Sequence, residues 1–324
     1  IIKRHNITLI HANSAAPGLW LNRLCRKMNI PLVSHLHSFY TLKDRIQFGL
    51  HKSTVVVGVS KYILEDLIKD GVPENRLKVI HNGLDIKRLL SQKKFNVRRE
   101  LKLRQKDYLI ATTGSLINRK GIEQAISATV NIRNNGIPVH LLVLGEGPMR
   151  KTLEDIIRLN KASDYIHLQG ESDNVVGTLR GGVDLFISTA KEEAFGLSIA
   201  EASLSSIPVI APEFGEISNI IKDNITGKLY PRCDENTLIK NIEFLYKHQD
   251  IGKKMGIYGF DHIISNFNIN SYTENFEYLY TELIFNRSGY NSFPNAYIST
   301  NMVRSICQSL IRVAKNIVRS GVTS

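Results

Sequence analysis

Cysteine is scarce in this chain. Cys25, Cys233 and Cys307 are three, an odd number, lie far apart and show no Cys-x-x-Cys spacing. This argues against a disulfide framework or a structural zinc and suits a reducing compartment. Uninterrupted apolar runs are short as well: none approaches the roughly 18 residues of a bilayer-spanning helix. Acidic residues are thin at both ends. Residues 1–90 carry 14 Lys/Arg against 6 Asp/Glu, and residues 287–324 carry 5 against none, whereas 91–286 is nearly balanced at 23 against 24. The net charge of +12 therefore sits at the two ends, and it invites an anionic partner such as a membrane surface or a phosphorylated substrate. Nucleic acid is not expected, because the basic first part lacks a recognised motif and the aromatic interleaving of a stacking platform.

What is present reads as a folded α/β protein. Hydrophobic residues make up 43% and charged residues 22% of the 324 residues, ordinary values that exclude disorder as the main state. At roughly 150 residues per domain the length predicts two domains. Short apolar runs recur at Ile7–Ile10, Leu32–Val33, Val55–Val59, Leu77–Ile80, Tyr108–Thr112, Val139–Leu144, Tyr165–Leu168, Val183–Ile187 and Pro208–Ile210. Amphipathic stretches alternate with them, among them Lys61–Lys69, Gly121–Arg133, Met149–Asn160 and Leu197–Leu204. Strands that read as continuous Val, Ile and Leu have both faces covered, as in parallel sheets. After Asp234 the pattern is helical to about Phe285.

The boundary is expected after His81-Asn82-Gly83-Leu84-Asp85, with Gly83 permitting a tight bend. This predicts lobes over 1–90 and 91–284 and a basic tail over 285–324. The first lobe lacks a glycine-rich βα turn and is short for its kind, and the chain opens on Ile1-Ile2-Lys3. It is therefore expected to be cut at its N-terminus.

Two segments carry chemistry. In Thr112-Thr113-Gly114-Ser115-Leu116-Ile117-Asn118-Arg119-Lys120-Gly121 a strand ends in a small turn, and a helix opens after two cations. Helix-start amides together with Arg119 and Lys120 suit a diphosphate, although taken alone the segment reads equally as a surface loop with solvated cations. In Ile187-Ser188-Thr189-Ala190-Lys191-Glu192-Glu193-Ala194-Phe195-Gly196-Leu197 a strand runs into a loop, and Glu201 follows inside the next helix. Gly196 lets backbone approach a ligand, and carboxylates accept paired donors from vicinal sugar hydroxyls. Two acids at the C-terminal end of a strand stand where ligands bind in such sheets.

With those segments the chain resembles the family-4 retaining glycosyltransferases of GT-B fold, over roughly residues 7–284. Glu193 and Glu201, with Phe195-Gly196 after the first, match that family's paired-glutamate motif. Val143-Leu144-Gly145-Glu146-Gly147-Pro148, the Leu168–Gly170 loop and Ile207-Pro208-Val209-Ile210 agree in order. The resemblance implies two doubly wound parallel-sheet lobes, the first incomplete, plus C-terminal helices. It implies that Lys120 holds the donor diphosphate and stabilises the leaving group, beside Gly114, Ser115 and Arg119. It places Glu193 on the donor sugar, the amides of Phe195, Gly196 and Leu197 on sugar and diphosphate, and Glu201 on the ribose. Leu168 and Gly170 face the base. His11, Asn13 and His37 fall on the acceptor side. No metal and no cofactor are implied, since the nucleotide sugar is a substrate and Asp-x-Asp is absent. The acceptor is expected to be a glycan or a lipid-linked acceptor, in surface polysaccharide or glycolipid assembly, and the location the cytoplasm, at the inner face of a membrane. Two departures stand out: Ser115 where many relatives carry Arg, and Asn13 where many carry a second histidine. A GT-B phosphorylase or epimerase, or a nucleotide-sugar-binding chain without turnover, remain the alternatives.

In the tail, Val303, Ile306, Cys307, Leu310, Ala314 and Ile317 fall on one face of a helical pattern within 300–319, with Arg304, Arg312, Lys315 and Arg319 largely opposite. That pattern fits an amphipathic helix on an anionic surface or in a protein groove.

Overall fold

A computed structural model describes residues 1–285, and the expected helix over 300–319 lies outside the described residues. The described chain forms two compact units, Ile1–His81 with the stretch from Thr273, and Asn82–Tyr272.

In the first unit β1 (Ile10–Ala12), β2 (Leu32–Leu36), β3 (Val55–Gly58) and β4 (Leu77–Val79) form a parallel sheet in that order. The helices α1 (Gly18–Met28), α2 (Leu42–Gln47) and α3 (Glu65–Lys69) connect them. Val55, Val56 and Val57 are fully buried on successive positions, the mark of a strand covered on both faces. Between α2 and α3, Arg45 donates to the buried Asp70 at 2.6 Å.

The second unit opens with α4 (Ile86–Leu90) and α5 (Val97–Glu100). It continues through β5 (Tyr108–Thr113), α6 (Ile122–Asn134), β6 (Val139–Leu144), α7 (Arg150–Leu159), β7 (Ile166–Gly170), α8 (Val175–Leu179), β8 (Leu185–Ile187), α9 (Leu197–Leu204), β9 (Val209–Glu213), α10 (Ile217–Ile220) and β10 (Lys228–Pro231). Then come α11 (Glu235–Lys247), α12 (Gln249–Asn266) and α13 (Ile269–Phe285), of which the part from Thr273 belongs to the first unit. The parallel sheet runs β10-β9-β8-β5-β6-β7. From β5 the chain winds one way and from β8 the other, so those two neighbours mark the point where strand order reverses. Ile110, Leu141, Val143, Leu185, Ile187 and Ile210 fill the core between sheet and helices.

Five expectations change. The first strand lies at Ile10–Ala12 rather than Ile7–Ile10, because Ile10, His11 and Ala12 are the residues in register with Leu32, Val33 and Ser34. Lys228–Pro231 is a further strand, pairing with β9. Leu168–Gly170 is the end of β7, not a loop. Gly83 is not among the positive-φ residues; its missing side chain instead lets it sit against Ile269 and Tyr272. The units also divide at His81 rather than at 90, because the polar stretch beyond it packs on the second sheet's helices. Phe95 N donates to Gly177 O at 3.0 Å and Arg180 to Leu90 O at 2.8 Å.

Candidate functional site

The second unit's candidate site grows from the ends of β5 and β8. After Thr113 the chain turns through Gly114, at φ 141, and exposed Ser115, then anchors on buried Leu116. A 3-10 turn, Asn118–Lys120, leads to Gly121, which starts α6 in the left-handed region at φ 61. A side chain there would strike the Thr189 carbonyl, so this position demands glycine on two counts. The loops after β5 and β8 are laced together: Lys191 N donates to Arg119 O at 2.7 Å and Lys191 Nζ to Asn118 Oδ1 at 2.6 Å.

That lacing brings two predicted residues into contact. The Lys120 ammonium donates to Glu193 Oε2 in an ion pair. Gly114 lies beside the Lys120 stem, while Arg119 and Ser115 are exposed on the same loop. Gly196, at φ 111, opens α9, and Leu197 at its start is exposed. A helix leaves its first amides outside its own ladder, facing whatever lies before it. The Phe195 ring is buried, edge-on to Phe267 at 5.7 Å, so it turns no aromatic face to the rim. Glu201 stands in α9, where burial raises its carboxyl above the usual range while Arg88 opposes the rise.

The third edge is the end of β6 and β7. Gly145 N donates to Gly170 O at 2.7 Å, and Leu116 N to Glu146 O at 2.8 Å. Leu168 and Gly170 thus lie on the same C-terminal rim as Gly114, Lys120, Glu193 and α9. In doubly wound sheets ligands bind at that rim, where strand order reverses.

A family model described as "Glycosyl transferases group 1" matches residues 93–262, and one described as "Glycosyltransferase Family 4" matches residues 1–88. The chain belongs to the group 1 glycosyl transferases. Two curated relatives extend the match. The N-acetyl-alpha-D-glucosaminyl L-malate synthase of Bacillus anthracis is 22% identical over 295 residues, which cover 88% of this chain and 77% of that protein. The alpha-monoglucosyldiacylglycerol synthase of Streptococcus pneumoniae is 22% identical over 309 residues, covering 82% and 69%. Among solved structures, Anabaena HepE in complex with UDP and glucose superposes with a TM-score of 0.77 at 20% identity, covering 86% of this chain and 79% of that one. Two parallel, doubly wound lobes with flanking helices are the GT-B architecture. The enzyme is thus a glycosyl transferase that moves a sugar from a nucleotide-sugar donor to an acceptor.

The first unit of this glycosyl transferase holds the remaining predicted residues. His37 Nε2 donates to Asn13 Oδ1 at 2.7 Å just beyond β2 and β1. His11 instead shares a 2.5 Å hydrogen bond through Nδ1 with the Tyr280 hydroxyl, and its Nε2 is buried. Burial lowers the pKa of His11 and His37 and drives that of His35, packed between them, down to about 3. Sequence reasoning missed Tyr280 as a partner. Tyr280 lies in α13, 269 residues from His11, and no motif joins the two. Sequence reasoning also missed Arg88, which carries no motif of its own. Among the described residues no helix is long and apolar enough to cross a membrane.

Proposed function

We propose that this enzyme transfers the sugar with retention of anomeric configuration, to a glycan or lipid-linked acceptor. The observation that carries the reading is the Lys120–Glu193 ion pair at the reversal point, with Glu201 in the helix that follows. Lys120 takes the donor diphosphate and meets the charge that builds as the anomeric C–O bond breaks, its electron pair leaving on the phosphate oxygen. Arg119 adds a second cation, and Gly114 and Ser115 let the backbone close on the phosphates. Glu193 accepts from the sugar hydroxyls and holds the anomeric carbon in place. The amides of Phe195, Gly196 and Leu197 bind sugar and diphosphate, Glu201 accepts from the ribose diol, and Leu168 with Gly170 borders the base. The acceptor hydroxyl attacks from the leaving-group face and gives its proton to the departing phosphate oxygen. No metal is required in this scheme. His37 and Asn13 serve the acceptor side, with His11 as a support held by Tyr280.

The names of the relatives support this choice of acceptor, since one makes a glycosylated diacylglycerol and others are O-antigen biosynthesis glycosyltransferases. The basic ends of the chain support work at an anionic membrane surface. Sedimentation with anionic vesicles tests that part: binding at low salt that vanishes as the Debye length shrinks to about 3 Å at 1 M salt is expected, and no binding at low salt would end it.

Mass-spectrometric screening of nucleotide sugars with candidate acceptors, followed by proton NMR of the product's anomeric centre, tests the reaction. A product with the donor's configuration supports retention, and the opposite configuration contradicts it. Consumption of free phosphate, or a product formed without acceptor, would instead mark a phosphorylase or an epimerase.

A further inference from the structure

The end of β7 departs from a regular ladder. Val143 of β6 pairs with Leu168, but the next residue, Leu144, pairs with Gly170, so Gln169 is the extra residue of a bulge. Bulges re-aim side chains and gather beside functional sites. Gln169 is exposed, and Gly170 beyond it adopts a φ of 81. A bulged end is held by fewer ladder bonds than a regular one, so its position depends on other partners.

One guanidinium supplies them. Arg150, the first residue of α7, donates from Nη2 to the Leu168 carbonyl at 3.1 Å. From Nη1 it donates to Glu146 Oε1, and from Nε to Glu154 Oε1 at 2.8 Å. Glu146 lies in the turn after β6, where its carbonyl accepts from Leu116 of the β5 loop at 2.8 Å, and its carboxylate passes over Gly170, leaving little room for a side chain there. Arg150 therefore ties the bulge, the β6 turn and α7 into one piece. Its ion pairs are half open to solvent: the side chains of Arg150, Glu146 and Glu154 are 33%, 41% and 52% exposed. Pairs that exposed add little to stability, so fold stabilisation alone accounts poorly for three acceptors converging on one side chain. A planar fork of five N–H donors can serve three acceptors lying in different directions, which a single ammonium does not match.

We infer that Arg150 is a positioning residue of the donor site, fixing the Leu168-Gln169-Gly170 bulge as the edge against which the nucleoside base is read. The inference rests on the donor reading above. Calorimetry with UDP, GDP, ADP and pyrophosphate, which has no base, tests it on the full chain, Arg150→Gln and Arg150→Lys. Arg150→Gln should weaken the preferred nucleoside diphosphate about tenfold, the worth of one charge-assisted hydrogen bond, while pyrophosphate stays within about twofold. The margin between the preferred base and the other two should narrow, and Arg150→Lys should not restore it. A folded Arg150→Gln with unchanged affinity and base ranking overturns the inference, and so does an equal loss for pyrophosphate. Should Arg150→Gln fail to fold, Glu154→Gln, which removes one exposed anchor, must show the same split in smaller measure; its absence overturns the inference too. A wild-type chain that binds none of the three nucleoside diphosphates defeats the donor reading itself, a result distinct from failure in the variants alone.

Discussion

Lys120 and Glu193, 73 residues apart, form an ion pair where β5 and β8 end side by side, with only 15% and 11% of their side chains exposed. Each neutralises the other, and in the mechanism proposed above each engages the nucleotide sugar. Removing one charge strands the other in a poorly solvated place. Lys120→Met should therefore lower the stability of the second unit by about 3–5 kcal/mol, and adding Glu193→Gln should recover much of it. Urea denaturation of the two variants checks this. Equal stability of Lys120→Met and wild type would show that the pair carries no cost of burial.

Glu201 predicts a pH dependence of binding. Burial raises its carboxyl, so it protonates at a higher pH than an ordinary glutamate, and Arg88 holds that rise back. A neutral carboxyl accepts less well from a ribose diol. Nucleoside diphosphate affinity should thus fall as pH drops toward and through the raised range, and Arg88→Gln should move the fall to higher pH. Glu201→Gln should bind weakly with this pH dependence removed. Titrations from pH 7.5 to 5 read all three; a wild-type profile identical to that of Glu201→Gln would remove Glu201 from the nucleotide site.

His35 predicts a pH dependence of folding. Its folded pKa of about 3 lies below the usual value of 6.5, so between those limits the unfolded chain binds the extra proton. Stability is then present in full above about pH 6.5 and is lost as pH falls, by at most about 1.4 kcal/mol per pH unit for this group. His11 and His37, lowered in the same direction, add to it. Denaturant titrations at pH 7, 5.5 and 4 should show the loss, and His35→Gln should flatten the slope. A wild-type stability that is level across this range would contradict the buried neutral assignment.

Much of this architecture was legible in the chain because β5 and β6 are uninterrupted apolar runs and α9 opens on a glycine. What escaped notice did so for physical reasons. Lys228–Pro231 has a charge, a proline and one fully buried aromatic, Tyr230, too little apolar signal to announce an edge strand. Ile7 resembles a strand residue yet is exposed, and pairing, not composition, sets where β1 begins. Of the candidate site, the paired glutamates and Lys120 could be read from spacing. Their contact was not foreseen, because it depends on β5 and β8 lying side by side, which the order of segments along the chain does not give. The His11–Tyr280 bond spans 269 residues, and no local pattern encodes it. The bulge at Gln169 is invisible because an extra strand residue looks like any other until its partner strand is in place.

The donor site is tested most directly by calorimetric affinity for the preferred nucleoside diphosphate in wild type, Lys120→Ala and Glu201→Ala, each shown to be folded. Wild type should bind, Lys120→Ala should lose about 1.5–3 kcal/mol, the worth of a charge-assisted hydrogen bond to phosphate, and Glu201→Ala should also weaken binding. Affinity that is unchanged in both variants would contradict the assignment.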